Sequence, residues 1–171
     1  MDQLNRADIE TFKEQEKTPI TIVLDNVRSM HNVGSAFRTA DGFAIEQILL
    51  CGITATPPHR EIEKTALGAT QSVKWKHVDN TKDAILQLKE EGYTILAIEQ
   101  AEGSIHLNEF KADKNTKYAL IFGNEVHGVD EEVMETVDSC IEIPQFGTKH
   151  SFNVSVTIGI VLWDMISKIK F

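Results

Sequence analysis

Apolar runs bounded by turn residues alternate along this chain with segments of helical period, the pattern of a parallel α/β domain. PITIVLDNV (19–27) reads as a buried first strand, and GSAFRTADGFA (34–44) as a helix with Ala36, Phe37, Ala40 and Phe43 on one face and Ser35, Arg38 and Thr39 on the other. IEQILLCGI (45–53) reads as a second strand, followed by a proline-containing loop, TATPPHREIEKTALGA, with a short helix at its end. SVKWKHV (72–78) alternates apolar and polar residues, as an edge strand or an ordered connection does. NTKDAILQLKEEG (80–92) is the clearest helix, with Asn80 or Thr81 as N-cap and Gly92 just past its end. YTILAIEQ (93–100) is a strand; the polar segment 101–115 is a loop with a helical turn around Ile105 to Phe110; TKYALIFGNE (116–125) is a buried strand. Asp130 caps a helix over DEEVMETV, CIEIPQFG (140–147) is a short strand stopped by Pro144, and NVSVTIGIVLWDMISKI forms a closing helix packed on the sheet.

No repeat, low-complexity tract or linker divides these elements, so the expected organisation is one domain over 1–171, with residues 1–18 as a helical N-terminal extension. At 171 residues and 42% apolar composition, the chain can bury its own core. Cys51 and Cys140 lie far apart at apolar segments, as expected of reduced core residues in a cytoplasmic protein. The N-terminus is too polar for a signal peptide, and no apolar run approaches the ~20 residues of a membrane helix. The formal net charge of −9 argues against whole-surface attraction to nucleic acid, so RNA binding would need a local patch or a motif.

Candidate chemistry narrows by exclusion. No G-x-G-x-x-G follows the first strand and no G-x-x-x-x-G-K-[ST] occurs, which removes the main support for a dinucleotide or P-loop site. None of the six histidines forms a metal-ligand spacing, so no metal is expected. Three segments remain. In HNVGSAFRTAD, Asn32 and Gly34 fall where a strand turns into a helix, and Arg38 follows on the polar stripe; read alone, Asn32 is a turn or cap residue and Arg38 a surface arginine. In FGNEVHGV, at a strand's carboxyl end where open α/β sheets bind ligands, Gly123 allows close backbone approach and Glu125 adds a carboxylate, or the pair simply ends a strand. In IPQFGTKHSFNVSVT, polar Ser151, Asn153 and Ser155 open an otherwise apolar helix, as N-caps do.

Taken together and in this order, the segments resemble the three motifs of the SpoU group of the SPOUT superfamily, RNA ribose 2′-O-methyltransferases. The resemblance covers about residues 20 to 166, with Gln145, Phe152 and Thr157 departing from the residues usual in the third motif. It implies a mostly parallel sheet flanked by helices with a C-terminal deep trefoil knot, the knot and cofactor pocket spanning about 119–166. It implies S-adenosylmethionine as methyl donor, no metal, RNA (tRNA, or alternatively rRNA) as substrate, and an obligate homodimer that assembles each site across the interface. On that expectation the dimer accounts for Ile158, Val161, Leu162 and Met165 of the last helix exceeding what one core face needs; read alone, the stripe is that of an ordinary buried helix.

By motif correspondence Arg38 is the catalytic arginine and Asn32 holds its geometry by hydrogen bonding to the arginine or the substrate. Glu125 and Ser151 stand near substrate and partner loop, and Asn153 orders knot and site. The donor is held mainly by main-chain groups of Phe122, Gly123, Ile143 and Phe152, with Ile98, Glu99 and Asn153 nearby. Arg28, Arg38, Arg60, Lys64, Lys74, Lys76 and Lys149 are the candidates for a basic patch. A non-catalytic donor- and RNA-binding module, or a nucleotide-binding oxidoreductase-like domain, would be the alternatives; the intact motif residues and the missing phosphate loop count against them.

Overall fold

The computed structural model describes residues 7–171. Its strands are β1 (Thr18–Asp25), β2 (Ile45–Cys51), β3 (Trp75–Val78), β4 (Thr94–Ile98), β5 (Ile105–His106), β6 (Tyr118–Phe122) and β7 (Ser139–Glu142). They form one sheet in the order β3-β2-β1-β6-β4-β7-β5, every pair parallel. A parallel sheet must be covered on both faces, which is why its strands read as unbroken apolar runs. On one face Ile20, Ile22, Leu24, Ile48, Leu120 and Phe122 pack against α2 (Met30–Gly42), α3 (Arg60–Ala66), α4 (Ala69–Ser72) and α7 (Val154–Lys170). On the other, Val23, Leu49, Ile95 and Ile121 meet α5 (Thr81–Glu90) and α6 (Glu131–Met134). Among the described residues no helix is long and apolar enough to cross a membrane.

The helix boundaries follow their caps. Asn80 caps α5 by accepting the Asp83 N–H at 3.1 Å, and Gly92 takes φ 87° just beyond its end. Of the N-terminal extension, α1 (Ile9–Glu14) is helical, capped by Asp8 and anchored by buried Phe12, while residues 1–6 lie outside the described part. The segment 72–78 holds the edge strand β3, and the one short helix expected at the end of the proline-containing loop is α3, followed closely by α4.

Four expectations need correction. Helix α2 starts at Met30, four residues before the expected Gly34, because Ser29 accepts the Asn32 N–H at 3.2 Å and caps it. Asn32 and Gly34 are therefore helical, and the left-handed residue of the turn is Asn26, at φ 54°. Gly34 serves packing instead: a Cβ there would stand 2.2 Å from the Ile62 carbonyl oxygen of α3. Helix α6 is a single turn where eight residues were expected, and the loop after β4 holds a two-residue strand, β5, before the turn in which His106 O accepts from Glu109 and Phe110 N–H groups. Finally, Ile158, Val161, Leu162 and Met165 are spent inside this chain's own core. The outward face of α7 carries Val156, Ile160 and Trp163, all exposed.

Candidate active site

Parallel pairing brings the carboxyl ends of β4, β6 and β7 side by side, with Ile98 in register with both Phe122 and Ile141. Loop backbone leaves the sheet there in one direction, and the space between forms a cavity of about 690 Å³, within the usual range for a small-molecule site. Ile98 and Glu99 wall it from β4, residues Phe122 to Val129 from the loop after β6, and Ile141 to Ile143 with Gln145 from β7. His150 to Val154 and Thr157, at the start of α7, close it. All seven residues expected to hold a donor, Ile98, Glu99, Phe122, Gly123, Ile143, Phe152 and Asn153, lie in this wall.

The loop after β6 folds back on itself. Asn124 and Gly128 exchange backbone hydrogen bonds of 2.8 and 2.9 Å, and a Cβ on Gly123 would stand 2.2 Å from the Gly128 carbonyl carbon. Gly123 is thus required by its own loop before any ligand is considered. Gly128, at φ 71°, packs against Glu99, whose Oε2 accepts the Val129 N–H at 3.1 Å. Asn124 braces the loop twice: its amide donates to the Asn26 carbonyl at 2.7 Å, and its Oδ1 accepts from Val126 and His127 N–H groups.

Glu125 ties this loop to α2. Its Oε2 accepts the Arg28 N–H at 3.0 Å and its Oε1 accepts the Ser29 N–H at 2.9 Å, with the Asn32 amide at 3.5 Å. Partial burial is the largest single influence on this carboxyl and opposes ionisation. The N–H groups of Arg28, Ser29 and Glu125 itself, with the Asn32 amide, outweigh it and hold the group below its ordinary value. The partner of Asn32 is therefore Glu125. Arg38, exposed on α2, is outside the wall of this chain's cavity, as is Asn32; Glu125, Ser151 and Asn153 belong to the wall. Asn153 caps α7, its Oδ1 accepting the Ser155 N–H at 2.9 Å and the Ser155 hydroxyl at 2.6 Å.

Residue-type reasoning missed Asp25 and Asn124. Asp25, 1% exposed, accepts the Thr81 hydroxyl at 2.6 Å and the Asp130 N–H at 3.0 Å, joining β1 to the starts of α5 and α6. An aspartate ending an apolar strand was the available signal. Burial, and then the charge of Asp25, push the Cys51 thiol up to about 12; burial and then Glu99 also raise Cys140, so neither is a ready thiolate. Among the described residues no three His, Cys, Asp or Glu side chains converge as a metal site.

The motif-bearing loops of a parallel sheet, gathered round one cavity, define a protein class that comparison with known sequences makes specific. Residues 19–163 match the SpoU rRNA Methylase family, and the chain belongs to that family. It is 32% identical to the 23S rRNA (guanosine-2'-O-)-methyltransferase RlmB of Vibrio parahaemolyticus, covering 96% of this chain and 65% of that protein's length. It is also 32% identical to the tRNA (guanosine(18)-2'-O)-methyltransferase of Aquifex aeolicus, covering 88% of this chain and 70% of the other. Among solved structures, an AdoMet-bound rRNA methyltransferase from Sinorhizobium meliloti superposes with TM-score 0.81 at 27% identity, covering 91% of this chain and 59% of that one. The TrmH/SpoU tRNA modifying enzyme of A. aeolicus also reaches 0.81, at 28% identity, covering 94% and 79%.

Proposed function

We propose that this protein transfers a methyl group from S-adenosylmethionine to a ribose 2′-hydroxyl of structured RNA, tRNA in the first place and rRNA as the alternative. The observation that carries the reading is the coincidence of all seven expected donor-binding positions in one cavity, tied through Glu125 to the helix that bears Arg38. Relatives named for tRNA and for rRNA guanosine methylation support both substrate pools.

The donor supplies an activated methyl on a sulfonium; this chain must hold it, align a hydroxyl and help the hydroxyl lose its proton. Main-chain groups at Phe122, Gly123, Ile143 and Phe152 would hold the adenosine, with Ile98 and Asn153 beside them. A guanidinium stays charged and is a poor general base. Arg38 would instead fix a neighbouring RNA phosphate and stabilise the developing alkoxide, the proton leaving through phosphate or water. Asn32 and Glu125 act as positioning residues: they hold the turn from which α2 carries Arg38.

Arg38 stands apart from this chain's own cavity, which supports a homodimer in which the arginine of one copy serves the cavity of the other. The exposed Val156, Ile160 and Trp163 of α7 offer the apolar face for it. We further propose that the chain is a single domain working in the cytoplasm, and that its route from β6 across β4 to β7, and then to α7 beside α2, is the family's trefoil knot.

The test is transfer of labelled methyl to bulk tRNA and, separately, rRNA. Arg38→Ala should abolish incorporation at ribose while leaving the donor's stabilisation of the fold in a thermal melt. Mixing inactive Arg38→Ala with inactive Asn153→Ala should restore about a quarter of wild-type activity, through heterodimers with one intact site. No incorporation into either RNA, with donor binding intact, would overturn the catalytic reading.

A further inference from the structure

All six histidines of this chain are exposed, and all six stand at the carboxyl edge of the sheet. His31 is in the first turn of α2 after β1, His59 caps α3 after β2, and His77 and His106 lie at the ends of β3 and β5. His127 and His150, in the loops after β6 and β7, line the cavity itself. The segments entering the strands at the opposite edge contain none.

Their surroundings are mostly acidic. His31 Nε2 faces Glu61 Oε2 at 2.7 Å, with Lys64 on the other Glu61 oxygen at 2.7 Å. His106 Nε2 faces Glu142 Oε1 at 3.0 Å, and Ser104 donates to the second oxygen at 2.6 Å. His77 Nδ1 lies 3.4 Å from Asp79, while its Nε2 is 2.8 Å from the Gly52 carbonyl. Two residues before His127 stands Glu125, turned to Arg28 and Ser29, and next to His150 is Lys149. His59 differs: its Nδ1 accepts the Glu61 N–H at 3.2 Å, so it is engaged in capping α3.

With neutral histidines, the fixed cations named at this edge, Arg28, Arg60, Lys64 and Lys149, stand among Glu61, Asp79, Glu99, Glu125 and Glu142, with Glu61 already paired to Lys64 and Glu99 and Glu125 turned to backbone N–H groups. A polyanion approaching the cavity would then meet an edge with no excess of positive charge. Protonated, each of the three paired histidines neutralises its carboxylate, and His127 and His150 add positive charge at the cavity mouth.

We propose that His31, His77, His106, His127 and His150 form the phosphate-binding girdle of the RNA interface, so that RNA engagement takes up protons and tightens as pH falls through the histidine range. This rests on the RNA reading above. It explains how a chain of formal charge −9 engages a polyanion at the one edge where its site lies.

The test is fluorescence anisotropy of labelled bulk tRNA titrated with the full-length protein and S-adenosylmethionine between pH 6 and pH 8.5, at constant ionic strength. Kd should fall about tenfold or more from pH 8 to pH 6, with a steeper salt dependence at the lower pH. The combined variant His31→Gln, His127→Gln, His150→Gln should lose most of that pH dependence, its fold verified by a far-UV circular dichroism spectrum and a donor-free melting temperature matching wild type. A wild-type Kd changing less than about twofold across the range, or a variant keeping the full dependence, overturns the girdle alone. Absence of tRNA and rRNA binding at every pH, with donor binding intact, overturns the RNA reading with it.

Discussion

At Gly123 a methyl group has nowhere to go, since its position would be 2.2 Å from the Gly128 carbonyl carbon and 2.3 Å from the Val129 nitrogen. Backbone cannot move aside as a flexible side-chain end can, so Gly123→Ala should cost more than about 2 kcal/mol in urea unfolding and remove the donor-induced rise in melting temperature. Glu125 makes a different kind of contribution. Its carboxyl is depressed in the folded state, so its clamp on Arg28 and Ser29 stabilises the protein above the unfolded pKa and is lost as pH falls through the folded one. Glu125→Gln should therefore be less stable than wild type in urea unfolding at pH 7, and the difference should shrink as the pH is lowered through the carboxylate range.

Helix α7 shows how one element combines support with chemistry. Asn153 both caps it and faces the cavity, so the two roles need different substitutions. Asn153→Ala should cost about 1 kcal/mol of stability and abolish methyl transfer, whereas Asn153→Asp, which caps as well, should hold stability to about 0.5 kcal/mol and still lose transfer. Capping was legible in the sequence at Asn80, Asp130 and Asn153, where a conspicuous Asn or Asp stands just before the helix. It failed at α2 because Asn32-Val33-Gly34 has the composition of a turn, while the bond that starts the helix comes from the less conspicuous Ser29. The strand β5 is two exposed residues held by the register of β7, and no local pattern marks it. That the residues named by motif resemblance would line one cavity was readable from the sequence; the Glu125 to Asn32 link was not, because it joins residues 93 apart.

For the molecule as a whole, periodicity announced that α7 is apolar but not which of its faces turns inward. Buried Ile158, Val161, Leu162 and Met165 answer that, leaving Val156, Ile160 and Trp163 exposed, the face the proposed homodimer would use. Trp163 is 57% exposed, with its ring 6.3 Å from Phe43 and 6.4 Å from Phe171, so an apolar patch surrounds it. Trp163→Glu should halve the mass seen in sedimentation and abolish methyl transfer, while the donor still raises the melting temperature of the separated chains.

The strand order has a further consequence, for the order in which the protein is made. β1 meets β2 a short way along the chain, Thr21 pairing with Gln47, so that half of the sheet can close early in synthesis. Its other side, Ile20 to Leu24, pairs only with Tyr118 to Phe122. Until that later strand leaves the ribosome, the most apolar edge of the nascent chain stands open, and it is there that a chaperone has the most to shield.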